Sequence, residues 1–398
     1  MSEAIESKAE GAQSGDDARP RRLALEATHR RHGAVVVERE GWLLPANYGD
    51  AAAEYEAVRG GKSAGLFDLS ARGRIEVSGA EAVQFLNGLI TNDVKTLGPG
   101  AWIRAAFPNP QGRLVAAARV ARAAEGQSFL IDTEAATRAV VFKALERFTL
   151  AGDFRVRDLG DETAHLSVQG AAAQRIVSRA LGEEASRTKR GRVALASWRG
   201  GQPVTILRAT HTGEDGFDLI CDAGRAGDVW DALVAAGARP AGADVFEVLR
   251  IEAGVARYGA DADDSNVVTE ANLDDAVSYT KGCYVGQEII ARIHWRGHVA
   301  KKLTGLLLDA GGGAARVGAR LKTADGAREV GRVTSVAHSP RLGRQVALAY
   351  VKYDFLEPGT ELVVAGEGDD AAGRATVAAL PLVRGSWHEA AGGEEVAE

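Results

Sequence analysis

From Lys302 onward the chain keeps to a single pattern. LTGLLLD, ARLKT, EVGRVTSVA, QVALAYVK, TELVVAG and GRATVAALPLV are short apolar or alternating runs, spaced almost evenly and separated by Gly, Pro and Asp. Few folds accept that pattern, and it predicts a small all-β barrel or sandwich. The preceding residues read differently. LALEATHRRHGAVVVE predicts a helix then a strand, AAEYEAVRGG a helix closed by Gly60-Gly61, and AEAVQFLNGLI a helix with Val83, Leu86, Leu89 and Ile90 on one face. RLVAAARVARA and SFLIDT read as paired strands, EAATRAVVFKALERFTL as an amphipathic helix, and HLSVQG, PVTILRAT and GFDLICD as further strands. Antiparallel-looking strands mixed with helices argue α+β rather than a doubly wound sheet. The expected division is a tail over 1–22, an α+β region of two subdomains over 23–300, a barrel over 301–384 and an acidic tail over 385–398.

Composition removes several classes. The charge balance of 48 Lys+Arg against 54 Asp+Glu gives −6, and the pI near 5.9 offers no basic face for direct nucleic-acid binding. Of the basic residues 38 are Arg and 10 Lys, a bias that reads as nucleotide composition rather than a phosphate site. No run approaches the ~18 apolar residues of a membrane span, and the first 22 residues lack the apolar stretch of a secretory signal. A cytoplasmic address with no membrane partner is expected. Two cysteines, Cys221 and Cys283, make no disulfide framework and cannot alone fill a four-thiolate cluster site.

The densest segment is TKGCYVGQEIIARIHWRGH, residues 280–298. It predicts a loop at Lys281–Tyr284 and a helix from about Gly286, with Ile289, Ile290 and Ile293 buried. Cys283 would sit before a helix N-terminus and two residues from Lys281, both of which favour thiolate; Cys221, inside an apolar strand, reads as core. His294 and His298 are four apart, but Gly297 and the lack of a third ligand argue against metal, and none is expected. Gly311-Gly312-Gly313 precedes no helix and reads as a loop rather than a nucleotide fingerprint. In ATHTGEDGFDLI, residues 209–220, Glu214 stands in a Gly-flanked turn, where a carboxylate can serve a surface hairpin or accept two hydrogen bonds from an amidine-like edge. In LRIEAGVARYG, residues 249–259, Arg250 and Arg257 share a helical face and suit either ligand carboxylates or surface pairs.

KGCYVGQE closely resembles the K-G-C-[FY]-x-G-Q-E signature of the folate-binding YgfZ family, relatives of the glycine-cleavage aminomethyltransferase (T-protein). GLFDLS, FLNGLITNDV, HTGEDGFDLI, LRIEAGVARYG and VGRVTSVAHSP follow in the order of that superfamily. The resemblance implies a cloverleaf of α+β subdomains around a tetrahydrofolate pocket, with a C-terminal β-barrel. It implies that Glu214 recognises the pterin, that Arg250 lies near the pocket or the folate carboxylates, and that Asn92 of the TND turn faces the pocket. Lys281, Cys283, Tyr284 and Gln287 belong to the signature loop and helix, with Cys283 and Lys281 as the reactive pair.

One departure bears on the branch. Aminomethyltransferases resemble one another in a GG-[IV]-[IV]-D-D strand, whereas QGRLVAAAR places Val115 and Ala116 there, or Ala117 if the register slips by one, and no carboxylate occurs from Gln111 to Arg122. A methyl group relays no proton. The expectation is therefore the YgfZ branch: a tetrahydrofolate-binding accessory protein for iron–sulfur cluster assembly or repair, touching tRNA modification, with iron–sulfur proteins or their assembly machinery as partners and without glycine-cleavage activity. The alternatives are a folate-dependent aminomethyltransferase or demethylase using a different base, and a non-catalytic interaction protein with a vestigial pocket.

Overall fold

The computed structural model describes residues 19–309, 315–366 and 371–389. Most of the N-terminal tail, the Gly311–Gly313 loop and residues 390–398 lie outside the described residues. The α+β class with a C-terminal barrel is borne out. Two antiparallel-rich sheets form the body. One has the order Val193–Trp198, Gln202–Arg208, Gly216–Asp222, Thr163–Gln169, Ala64–Asp68, Ala238–Pro240; the other runs Trp102–Pro108, Leu114–Arg122, Ser128–Thr133, Gly73–Ser78, Arg155–Asp158. A three-stranded sheet of Arg21–Arg22, Trp42–Asn47 and Val35–Arg39 sits beside them.

Alternation explains why each sheet has one apolar and one polar face. Along Leu114–Arg122, Ala116, Ala118 and Val120 enter a core with Ile75, Val77, Leu86 and Phe129, which leaves Ala117 and Arg119 on the opposite face. Along Thr163–Gln169, Ala164, Leu166 and Val168 pack on the helices Ala173–Leu181 and Ala226–Ala235 around Trp230, so His165, Ser167 and Gln169 point the other way. Helix Ala226–Ala235 buries Val229, Trp230 and Leu233 completely, the i, i+1, i+4 spacing of a single helical stripe.

The last strands close a six-stranded barrel in the order Lys301–Leu308, Arg344–Lys352, Glu329–Ser339, Arg320–Thr323, Glu361–Ala365, Ala371–Ala378. It docks on helix Ala243–Glu252 through Ile251 against Leu303, Val346, Leu348 and Tyr350. Beyond it, the stretch expected as an acidic tail begins with a short helix, Ser386–Glu389, packed on the body. No helix among the described residues is long and apolar enough to cross a membrane.

Candidate functional site

The polar faces of the two large sheets meet at the centre of the molecule. Asp132 lies opposite Arg119 in one sheet, and its carboxylate takes two hydrogen bonds from Arg72 at 2.7 and 3.1 Å. From the other sheet Asp218 accepts from Ser167 Oγ at 2.7 Å and lies 2.9 Å from His211 Nε2. The Arg119 guanidinium binds Asp218 and the Thr210 carbonyl, and His165 sits between the acids at 3.8 Å from Asp132 and 3.4 Å from Asp218. Asp132, His165, His211 and Asp218 are buried and the two arginines are largely covered, so the charges interact strongly. Burial opposes ionisation of Asp218, yet His211, His165 and Arg119 hold it well below the usual carboxylate range; burial and then Arg119 push His211 down to about 4.

Two adjacent chambers open against this network, of about 810 and 560 Å³, sharing Arg72, Glu134, His211, Val255 and Ala256 as lining. In the larger one Arg119 and His211 supply donors, Leu114, Leu303 and Leu380 supply apolar wall, and the half-exposed Arg104 and Lys302 lie at the margin. Trp387 and His388 of the C-terminal helix complete it. Size and chemistry fit a flat, polar heterocycle joined to a carboxylate-bearing tail: fixed donors deep inside, apolar walls between, cations near solvent. That is the chemistry of a reduced folate.

The predicted residues scatter around this cavity. Asn92 lines it, but its amide donates to the carbonyls of Arg104 (2.7 Å) and Asp275 (3.2 Å) and so shapes the wall. Glu214 does not line either chamber. Its carboxylate holds Arg59 at 2.8 Å and the Ser386 backbone N–H at 2.8 Å, anchoring the helix that carries Trp387. Arg250 borders the smaller chamber with its guanidinium committed to Glu247, Asp261 and Ser335 Oγ, which fastens the barrel to helix Ala243–Glu252.

The signature loop lies elsewhere. Lys281 Nζ donates to the carbonyls of Asn87, Ile90 and Asn92 at 2.6–2.9 Å, and burial, against Asp93, lowers its pKa to about 8. It clamps the TND turn from behind. Tyr284 is buried beside Leu114, Val268 and Ile290, Gln287 opens the helix Gln287–Arg296, and Cys283 is exposed. Of the three isoleucines expected inside, only Ile290 is buried. Gly286 precedes the helix at φ +75°, where a Cβ would come within 2.4 Å of the Asn109 carbonyl, so the motif's glycine answers a backbone close approach. His294 and His298 stack on Tyr279 and Tyr353 at 3.7 and 3.6 Å.

A different trio, His165, His211 and Asp218, brings potential ligand atoms within 4.8 Å of one another, but the Arg119 guanidinium already sits on two of them and opposes a cation. Sequence reading passed over Arg72, Arg119, Glu134, His211, Asp218 and Trp387. Asp218 left a trace, a single acid inside the apolar run GFDLIC; the others left none that a linear pattern could show.

Residues 25–281 match the GCVT N-terminal domain family and residues 301–383 the glycine cleavage T-protein C-terminal barrel domain. An aminomethyltransferase of Rubrobacter xylanophilus is 37% identical over 86% of this chain and 90% of its own length. One from Saccharopolyspora erythraea is 36% identical over 92% and 98%. The solved structure of the glycine cleavage system aminomethyltransferase T from Bartonella henselae superposes with a TM-score of 0.82 at 25% identity, covering 92% of this chain and 98% of that one. Tetrahydrofolate, the expected cofactor, agrees with this family. The expected function does not: relatives named for aminomethyl transfer over nearly the whole chain overturn the iron–sulfur accessory role and the exclusion of glycine cleavage. That exclusion rested on one strand lacking a carboxylate, whereas a cavity needs the group in space and not at a fixed sequence position.

Proposed function

Because the chain belongs to the glycine-cleavage T-protein family, we propose that it is a tetrahydrofolate-dependent aminomethyltransferase, moving a one-carbon unit from an aminomethyl donor to the folate with release of ammonia. The observation that supports this most is the central cavity of about 810 Å³, whose enclosed Arg119 and His211 oppose apolar walls and marginal cations in a fold shared with such enzymes. Tetrahydrofolate, when bound, supplies the amine nitrogens that accept the one-carbon unit. The protein's part is placement. Asp218 holds Arg119 and His211 from behind, so the donors meet a ligand without reorganising. Leu114, Leu303, Leu380 and Trp387 exclude water. A donor carried on a protein-bound thiol arm, such as the aminomethylated carrier of glycine cleavage, suits a site of two adjacent chambers.

The KGCYVGQE loop keeps likeness to the YgfZ branch as a proposal about ancestry; the 23–300 and 301–384 division and the cytoplasmic address belong to the same reading. The test is a binding titration with tetrahydrofolate followed by ammonia release from an aminomethylated dihydrolipoyl carrier protein. Folate binding with folate-dependent ammonia release supports the assignment; tight folate binding without ammonia release from any aminomethyl donor overturns it.

A further inference from the structure

The strand that faces the cavity has no carboxylate from Gln111 to Arg122, although its Ala117 lines the larger chamber, and the end of the neighbouring strand supplies one. The ladder between Leu114–Arg122 and Ser128–Thr133 pairs Arg119 with Asp132 and Ala118 with Thr133. Glu134 follows with extended backbone (φ −69°, ψ 155°), and Thr133 Oγ1 still donates to the Ala117 carbonyl at 2.9 Å. One further step of the register sets Glu134 across from Ala117, on the same face as Arg119 and Asp132. Both Ala117 and Glu134 line the larger chamber, and Glu134 also borders the smaller one.

Its surroundings separate Glu134 from the other acids of the site. Asp275 is paired with Arg104, Glu247 with Arg250, Asp68 with His29 and Glu40 with Arg257. Among the described residues lining the two chambers, Glu134 is the only carboxylate without an ion pair; both its oxygens accept from one backbone N–H, that of Tyr258, at 3.1 Å. A carboxylate held in place, half-buried and short of partners has lone pairs left for a ligand. Burial, opposed first by Arg72, raises its pKa, the direction that suits proton exchange near neutrality.

We propose that Glu134 is the acid–base carboxylate of the folate cavity, facing it from across the ladder to Ala117 on a strand that itself has no acid. It exchanges a single proton with an amine nitrogen placed against it: an O–H bond forms at Glu134 as an N–H bond breaks, and the return step restores both. The inference rests on the aminomethyltransferase reading and deepens it.

Two variants, Glu134→Gln and Glu134→Gln with Ala117→Asp, test it by binding and by turnover. Tetrahydrofolate affinity is followed from pH 5 to 8 with proton uptake measured calorimetrically in two buffers. The wild type is expected to show a proton-linked component that Glu134→Gln lacks, while affinity at pH 8 changes less than ~3-fold. Turnover in Glu134→Gln is expected to fall ~100-fold or more with the acid limb of the kcat profile removed, and Ala117→Asp to restore at least a tenth of it. An unchanged proton linkage in Glu134→Gln, or kcat within ~3-fold of wild type, overturns the role of Glu134 while leaving the transferase reading intact. If the wild type binds folate but transfers nothing, that reading falls and proton linkage alone decides Glu134. If it binds no folate, both fall.

Discussion

The central cavity and the Lys281–Gln287 loop contrast sharply in how they are built. The loop is seven contiguous residues, conspicuous in the sequence, yet its lysine clamps backbone carbonyls, its tyrosine is core and its glycine avoids a collision. The cavity has no motif of its own. Arg72, Arg119, Glu134, His211 and Trp387 come from distant parts of the chain and meet only because two sheets turn their polar faces toward each other. A dense motif marks a place where the backbone has few alternatives, whereas a ligand site marks a place where the tertiary structure converges.

The contrast breaks or holds first on stability. Replacing Asp218 with Ala removes the acid between Arg119 and His211 and strands a buried cation, so unfolding free energy should drop by about 3–5 kcal/mol, read from denaturant midpoints. A loss under 1 kcal/mol would mean that the network is not the keystone of the cavity.

Acid should act on the same network. The folded protein keeps His211 neutral down to about pH 4, whereas in the unfolded chain it takes up a proton below about 6.5. Stability therefore falls as pH drops from 6.5 to 4, by about 3 kcal/mol at full expression, and Asp218 adds in the same direction at lower pH. Denaturant midpoints at pH 7 and 4.5 should show a smaller difference in His211→Asn than in the wild type.

In the loop, Lys281→Met leaves the carbonyls of Asn87, Ile90 and Asn92 without their donor and should cost about 1–3 kcal/mol. Folate affinity should weaken secondarily, because Asn92 shapes the wall. Smallest of all is Cys283→Ser, an exposed position expected to change stability by no more than about 0.5 kcal/mol and to leave folate affinity unaltered. Cys283 should alkylate in the folded protein long before Cys221, whose thiol is buried and pushed up to about 12. A large effect of Cys283→Ser on turnover would return chemistry to the loop.

The sequence by itself determined the α+β body, the barrel and the order of the superfamily's motifs, because periods of two and 3.6 and turn residues are local properties of the chain. It carried the folate class too, through motifs that repeat as contiguous strings. Only the tertiary structure decided what each residue does there. Glu214 looked free in its turn, but Arg59, 155 residues away, and Ser386, 172 residues away, claim its carboxylate. Arg250 looked available on a helix face, but the barrel's Ser335 and the buried Asp261 take its guanidinium. Val115, Ala116 and Ala117 leave their strand without an acid, and only strand pairing sets the Glu134 of the next strand across from Ala117. Charged side chains leave no periodic signal; their roles are fixed by which partners reach them first inside a low-dielectric interior, and those partners are chosen by sheet register and packing over long sequence separations.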